Sequence, residues 1–70
     1  MGDIIAPMDA IVTEVMVKVG DSVNKDDEVI ILESMKVEVP VLAVVSGVVK
    51  EIKYSDDDTV NKGDVLIVIE

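Results

Sequence analysis

The stretch Glu33-Ser34-Met35-Lys36-Val37-Glu38 offers the most concentrated chemistry in the chain, a primary amine set between two carboxylates. A lysine amine becomes a nucleophile once it loses its proton, and its acylation gives a stable amide. The remaining inventory is narrow: six lysines, fifteen acidic residues, no histidine and no cysteine. Without histidine the usual general base and the commonest metal ligand are missing. Without cysteine no disulfide staples the fold, and the redox compartment is left unconstrained. The other acidic cluster, Asp56-Asp57-Asp58, does not have the spacing of a calcium loop and reads as a solvated turn. By itself a Met-Lys pair is more often core filler beside a surface lysine. What distinguishes Met35-Lys36 is its position.

That position is the midpoint of an internal repeat. Residues 6–33, moved along by 37, fall on residues 43–70 without a gap. Ala6 meets Ala43, Val12 meets Val49, Glu14 meets Glu51 and Asp21 meets Asp58. Val23-Asn24-Lys25 returns as Val60-Asn61-Lys62, Asp27 as Asp64, Ile30 as Ile67 and Glu33 as Glu70. Two units are too few for a solenoid, so a two-fold related pair closed on itself is expected. Residues 34–42 have no counterpart and cross between the halves with Met35 and Lys36 at their tip. The whole of residues 1–70 is expected to form one domain.

Composition limits the function. A chain of 70 residues buries only about 60% of its unfolded surface, so its core must be efficient. A formal charge of −9 lacks the basic footprint that nucleic acid requires. No apolar run reaches the roughly 20 residues of a membrane helix, and the start lacks the features of a signal peptide. A cytoplasmic protein is expected.

The elements that must position Lys36 are strands. Valine and isoleucine make up about a third of the chain, with Tyr54 the single aromatic, so β-branched side chains do the packing. Residues 11–19 alternate at period two, which predicts Ile11, Val15, Val17 and Val19 inside and Glu14 and Lys18 in water. Residues 48–54 repeat the pattern, with Ile52 and Tyr54 inside and Glu51 and Lys53 outside. Turns are marked by Gly20-Asp21, Lys25-Asp26-Asp27, Asp56-Asp57-Asp58 and Lys62-Gly63-Asp64. Val29–Leu32 and Leu66–Ile69 are short apolar runs expected as core strands. Pro7 and Pro40 belong at strand ends or edges, since neither can donate to a ladder. No helical periodicity is present. The expected fold is all-β, a sandwich or flattened barrel of about eight short strands.

One local rule is broken at the centre. A two-residue connection between strands ordinarily calls for Asn-Gly or Gly-X, because its backbone needs φ > 0. Here it is Met35-Lys36, and departures of this kind concentrate at functional sites.

Leu32-Glu33-Ser34-Met35-Lys36-Val37-Glu38 resembles the attachment motif of biotinyl domains, the carboxyl carrier modules of biotin-dependent carboxylases and decarboxylases. The family pattern is Glu-(Ala or Ser)-Met-Lys-Met. Ala6-Pro7-Met8, Val19-Gly20-Asp21-Ser22-Val23, Ser46-Gly47-Val48-Val49 and Val60-Asn61-Lys62-Gly63-Asp64 also resemble family segments, so the similarity spans nearly the whole chain. It implies a flattened β-barrel (a barrel-sandwich hybrid) of two four-stranded antiparallel sheets with quasi-two-fold symmetry. It also implies covalent biotin on Lys36, Met35 as a contact for biotin protein ligase, and Glu33, Ser34 and Val37 as motif flanks. Biotin would shuttle carboxyl groups between a biotin carboxylase and a carboxyltransferase or decarboxylase, on a monomeric carrier. Carboxylates beside a lysine favour its charged form, so activation would come from the ligase and the chain would be a substrate rather than an enzyme.

Several residues depart from the family. Val37 stands where a second methionine is usual, Asp9-Ala10 replaces Pro-Gly, and Val44 replaces proline. Asp26 and Asp57 occupy turn positions where glycine is usual; aspartate tolerates left-handed geometry at some cost in stability. The segment from Gly20 to Glu28 is too short for the protruding thumb of some bacterial acetyl-CoA carboxylase carriers. A pyruvate, propionyl-CoA or decarboxylase type of carrier is the closer match. The competing readings are a lipoyl or dual carrier, whose motif is typically Asp-Lys-Ala, and an unmodified barrel-sandwich structural module, which needs no Met-Lys tip.

Overall fold

A computed structural model describes residues 2–70. The β-branched chain folds into eight strands: β1 (Gly2–Ile5), β2 (Ala10–Val15), β3 (Ser22–Val23), β4 (Glu28–Ser34), β5 (Val37–Leu42), β6 (Gly47–Ile52), β7 (Thr59–Val60) and β8 (Val65–Ile69). They form two four-stranded sheets, ordered β5-β4-β2-β7 and β1-β8-β6-β3. Every pairing is antiparallel. The offset of 37 carries β2 onto β6 and β3 onto β7 residue for residue, so it exchanges one sheet for the other. Residues 39–42 of β5 pair with β4 as residues 2–5 of β1 pair with β8, so each sheet takes two strands from each half, which interlocks the two. Pro40 lies on β5, an edge strand, where no ladder donor is lost.

Between the sheets lies an entirely aliphatic core. Ile4, Ile30, Leu32, Leu66, Ile67 and Ile69 are its largest fully buried side chains, and no polar or charged residue is buried among those described. Ile52 and Tyr54 pack against it half-buried, as do Val15 and Val17. The Tyr54 hydroxyl reaches the edge of this layer and donates to Asp64 Oδ2 at 3.1 Å. That hydrogen bond, with burial second, holds the phenol above its ordinary pKa.

The simple alternation expected for residues 11–19 is corrected. Ile11 and Val19 are 49% and 63% exposed, while Val12 is fully buried. At Ile11 the reason is a β-bulge. Val12 pairs with Leu32 and Glu14 with Ile31, which leaves Thr13 as an extra residue on β2. One extra residue reverses which side faces the core, so Ala10 and Val12 point inward before it and Val15 after it. Val19 lies beyond the end of β2, in a turn. The same bulge recurs one repeat later: Val49 pairs with Ile69 and Glu51 with Val68, with Lys50 extra. A second symmetric pair falls at Val29 and Leu66. There it lets two consecutive residues, Val29-Ile30 and Leu66-Ile67, both face the core.

Four turns of one design close the ends. In residues 18–21, 24–27, 55–58 and 61–64 the last N–H donates to the first carbonyl at 3.0–3.1 Å. The last residue is always aspartate, and its Oδ2 accepts the first residue's N–H at 2.8–2.9 Å. The third position has positive φ in all four: Gly20 at 98°, Asp26 at 77°, Asp57 at 75° and Gly63 at 93°. A Cβ at Gly20 or Gly63 would meet no atom within 4 Å. Glycine there answers to the backbone dihedral alone. The acidic run is absorbed in this way: Asp58 caps its own turn, and Asp56 Oδ1 accepts the Val15 N–H at 3.0 Å.

Candidate functional site

The site grows out of the β4–β5 hairpin. Glu28, Ile30, Ile31, Leu32, Glu33 and Ser34 pair with Leu42, Val41, Pro40, Val39, Glu38 and Val37. Ile30 and Leu32 are fully buried, so the hairpin is anchored to the core from its base. Ser34 and Val37 form the last pair, leaving Met35 and Lys36 as a two-residue loop.

Both loop residues have positive φ, 53° at Met35 and 66° at Lys36. This is what a type I′ connection demands, and it is unusual for side chains of this size. Met35 is 93% exposed. Lys36 is exposed too, and makes no ion pair or side-chain hydrogen bond among the described residues. The tip therefore presents a free amine beside a thioether, on a support that cannot easily move.

The flanking residues divide by face. Glu33 and Glu38 lie directly opposite each other on the outer face, both exposed. Like charges so placed destabilise the pair. Ser34 is half-buried, and Val37, on the face that turns toward the core lower down, is 61% exposed. The structure brings all five sequence-selected residues together at one end of one hairpin. Outside that selection it exposes Ile11, which neighbours Glu33 across β2 and β4. Simple alternation hid this residue. The adjacent apolar pairs Ile11-Val12 and Val48-Val49, in register with the repeat, were the available signal for a bulge.

The described residues enclose no pocket. What the site can offer chemically is an accessible acyl acceptor, held on a convex tip.

Residues 1–69 match the biotin/lipoyl family, whose description is biotin-requiring enzyme. The chain belongs to this family. A 41-residue segment is 54% identical to biotinylated protein TB7.3 of Mycobacterium tuberculosis, covering 59% of this chain and 58% of that protein. A homolog of TB7.3 in Mycobacterium leprae is 50% identical over 44 residues, 63% of this chain and 62% of its own length. The match thus spans less than two thirds of these relatives. Among solved structures, the urea carboxylase of Kluyveromyces lactis superposes with a TM-score of 0.92 at 35% identity, over 99% of this chain and 6% of that one. The lipoyl domain of the 2-oxoglutarate dehydrogenase complex from Azotobacter vinelandii gives 0.81 at 34%, over 97% and 94%. A single-chain, multi-domain long-chain acyl-CoA carboxylase shares the fold at 21% identity, with a TM-score of 0.87 over 94% and 7%. In the biotin/lipoyl family the chain is a carrier module and not itself a catalyst.

Proposed function

We propose that this chain is a biotin carboxyl carrier domain, with biotin joined through an amide to Lys36 Nζ. The observation that carries the reading is the hairpin tip: an exposed lysine at a strained two-residue turn, where packing alone would select Asn-Gly. The biotinylated relatives and the carboxylase neighbour support biotin as the group.

The residues present suit such an attachment. The Lys36 amine is free of ion pairs and stands clear of the core. Its acylation would disturb no packing. Lys36 Nζ would take the biotinyl group from the activated donor that a biotin protein ligase supplies, forming an amide with loss of AMP and of the amine proton. Nothing at the tip is placed to take that proton, so deprotonation falls to the ligase and the domain acts as its substrate. Met35 offers the ligase a soft, adaptable contact, and Glu33, Ser34 and Val37 set the register of the strands beside it.

Once bound, biotin supplies the carboxyl-transfer chemistry. The domain's share is rigid presentation: anchored strands hold the tether so that it reaches a biotin carboxylase and then a carboxyltransferase or decarboxylase, at a high effective concentration. A monomeric carrier working in the cytoplasm completes the reading.

The lipoyl neighbour supports a second reading, a lipoyl or dual carrier. Ser34-Met35-Lys36-Val37 lacks the Asp-Lys-Ala pattern of that class, which favours biotin. Intact-mass analysis after treatment with biotin protein ligase tests the assignment. Wild type should gain one biotinyl group and Lys36→Arg none, because the other five lysines lie outside the hairpin. Biotin mapped to Lys25 or Lys62, or uptake of lipoate alone from a lipoate ligase, would refute it.

A further inference from the structure

The quasi-two-fold repeat gives the protein an internal control: two outer sheet faces with the same strand plan and different charge. On the face of β1-β8-β6-β3, Lys50 pairs with Glu70 and Lys53 with Glu51, each at 3.3 Å. The equivalent acids on the other face are Glu33 and Glu14, and the positions of the two lysines are taken by Thr13 and Met16. None of the strands β5, β4, β2 and β7 contains a lysine; Lys36 stands at the tip between β4 and β5, and Lys18, Lys25 and Lys62 lie in the turns beyond the strand ends. Glu14, Glu28, Glu33 and Glu38 therefore stand exposed, with no ion pair among the described residues.

The apolar content of that face is also open. Ile11 is 49% exposed, Met16 45% and Leu42 42%. The ladder sets Ile11 beside Glu33, which faces Glu38, and sets Leu42 opposite Glu28. Met16 follows Glu14 on the same side, and its N–H donates to the Val29 carbonyl at 3.0 Å. The face runs without a break into the Met35-Lys36 tip. The other face carries comparable apolar groups, with Val48 44% and Ile5 43% exposed, so charge is what separates the two.

We infer that the outer face of the β5-β4-β2-β7 sheet is the docking surface for the biotin protein ligase, and that the ligase meets it with an apolar patch ringed by lysine or arginine. This rests on the carrier reading of Lys36. Charge complementarity selects the occupant. Opposed glutamates cost stability in the free domain, and a basic surface removes that cost while steering encounter. A second copy of the chain is disfavoured, since each copy carries a formal charge of −9 and would oppose glutamate to glutamate.

The test transplants the second half's solution into the first. Met16→Lys sits as Lys53 does and has Glu14 within reach as Lys53 has Glu51, so the substitution suits the fold; a thermal melt checks this. Steady-state biotinylation of Lys36 is then measured for wild type, Met16→Lys, Glu14→Lys and Glu51→Lys, the last altering the opposite face. The first two substitutions should raise KM for the domain roughly fivefold with kcat unchanged, as loss of steering predicts, and Glu51→Lys should not. The wild-type KM should also rise with salt, and that of Met16→Lys much less. Equal KM values for Met16→Lys, Glu14→Lys and wild type, with Lys36 still loaded, would overturn the docking face and leave the carrier reading intact. Failure of wild type to load would overturn both. A wild-type dimer in sedimentation, abolished by Met16→Lys, would assign the face to a second copy and reject the ligase.

Discussion

At the scale of single residues, position 37 separates packing from recognition. Val37 pairs with Ser34 at the base of the tip and is 61% exposed, so its side chain contributes little to the core. Val37→Met, which restores the family residue, should leave stability within about 0.5 kcal/mol, the range for surface sites. Its initial rate of biotinylation should exceed that of wild type if a second thioether beside Lys36 is a ligase contact. Identical rates, measured at a domain concentration below KM, would show that position 37 takes no part in loading. The sequence made Met35 and Lys36 legible as a turn and as an oddity within it. It could not show that Glu33 and Glu38 oppose each other, because that depends on the register of β4 against β5.

At the scale of elements, the four aspartate-closed turns set the spacing of the strands. Two use glycine and two use aspartate at the same positive φ. An L side chain in left-handed geometry costs on the order of 1 kcal/mol, less for aspartate than for most residues. Asp26→Gly and Asp57→Gly should therefore each raise stability by about 0.5 kcal/mol in urea melts, despite the extra freedom glycine brings to the unfolded chain. A loss of 1 kcal/mol or more at either site would mean that its carboxylate does work the backbone does not reveal. The turns were legible because Gly and Asp punctuate them. The bulges at Thr13 and Lys50 left only an indirect signal, the adjacent apolar pairs Ile11-Val12 and Val48-Val49, because a bulge is defined by pairing with a partner strand rather than by residue type. The bulge at Thr13 misplaced Ile11, whereas Val19 was misplaced because β2 ends at Val15 and the chain turns there.

At the scale of the whole molecule, tip and core should respond oppositely to truncation. Lys36→Ala removes an exposed side chain and should shift stability by less than about 0.5 kcal/mol while abolishing loading. Ile67→Ala empties a fully buried site and should cost about 2–5 kcal/mol, a large part of what so small a domain has. Ile52, expected inside from alternation, is only half-buried, so Ile52→Ala should cost less than Ile67→Ala. Denaturant melts and a biotin blot on the same samples check these outcomes together. If Lys36→Ala were the more destabilising, the lysine would be part of the fold's support and not its cargo site.

The sequence by itself determined the strand-rich composition, the repeat of 37 residues and the turns, because each is written in local residue type and spacing; that residues 39–42 repeat residues 2–5 appears only in the strand pairing. Tertiary structure alone decided the rest. Bulges reversed the faces of β2 and β6, each sheet drew two strands from each half, and two equivalent faces acquired different charge balance through Lys50 and Lys53 against Thr13 and Met16. Those features arise from which strand lies beside which, and pairing between distant segments leaves no mark in the periodicity of either segment alone.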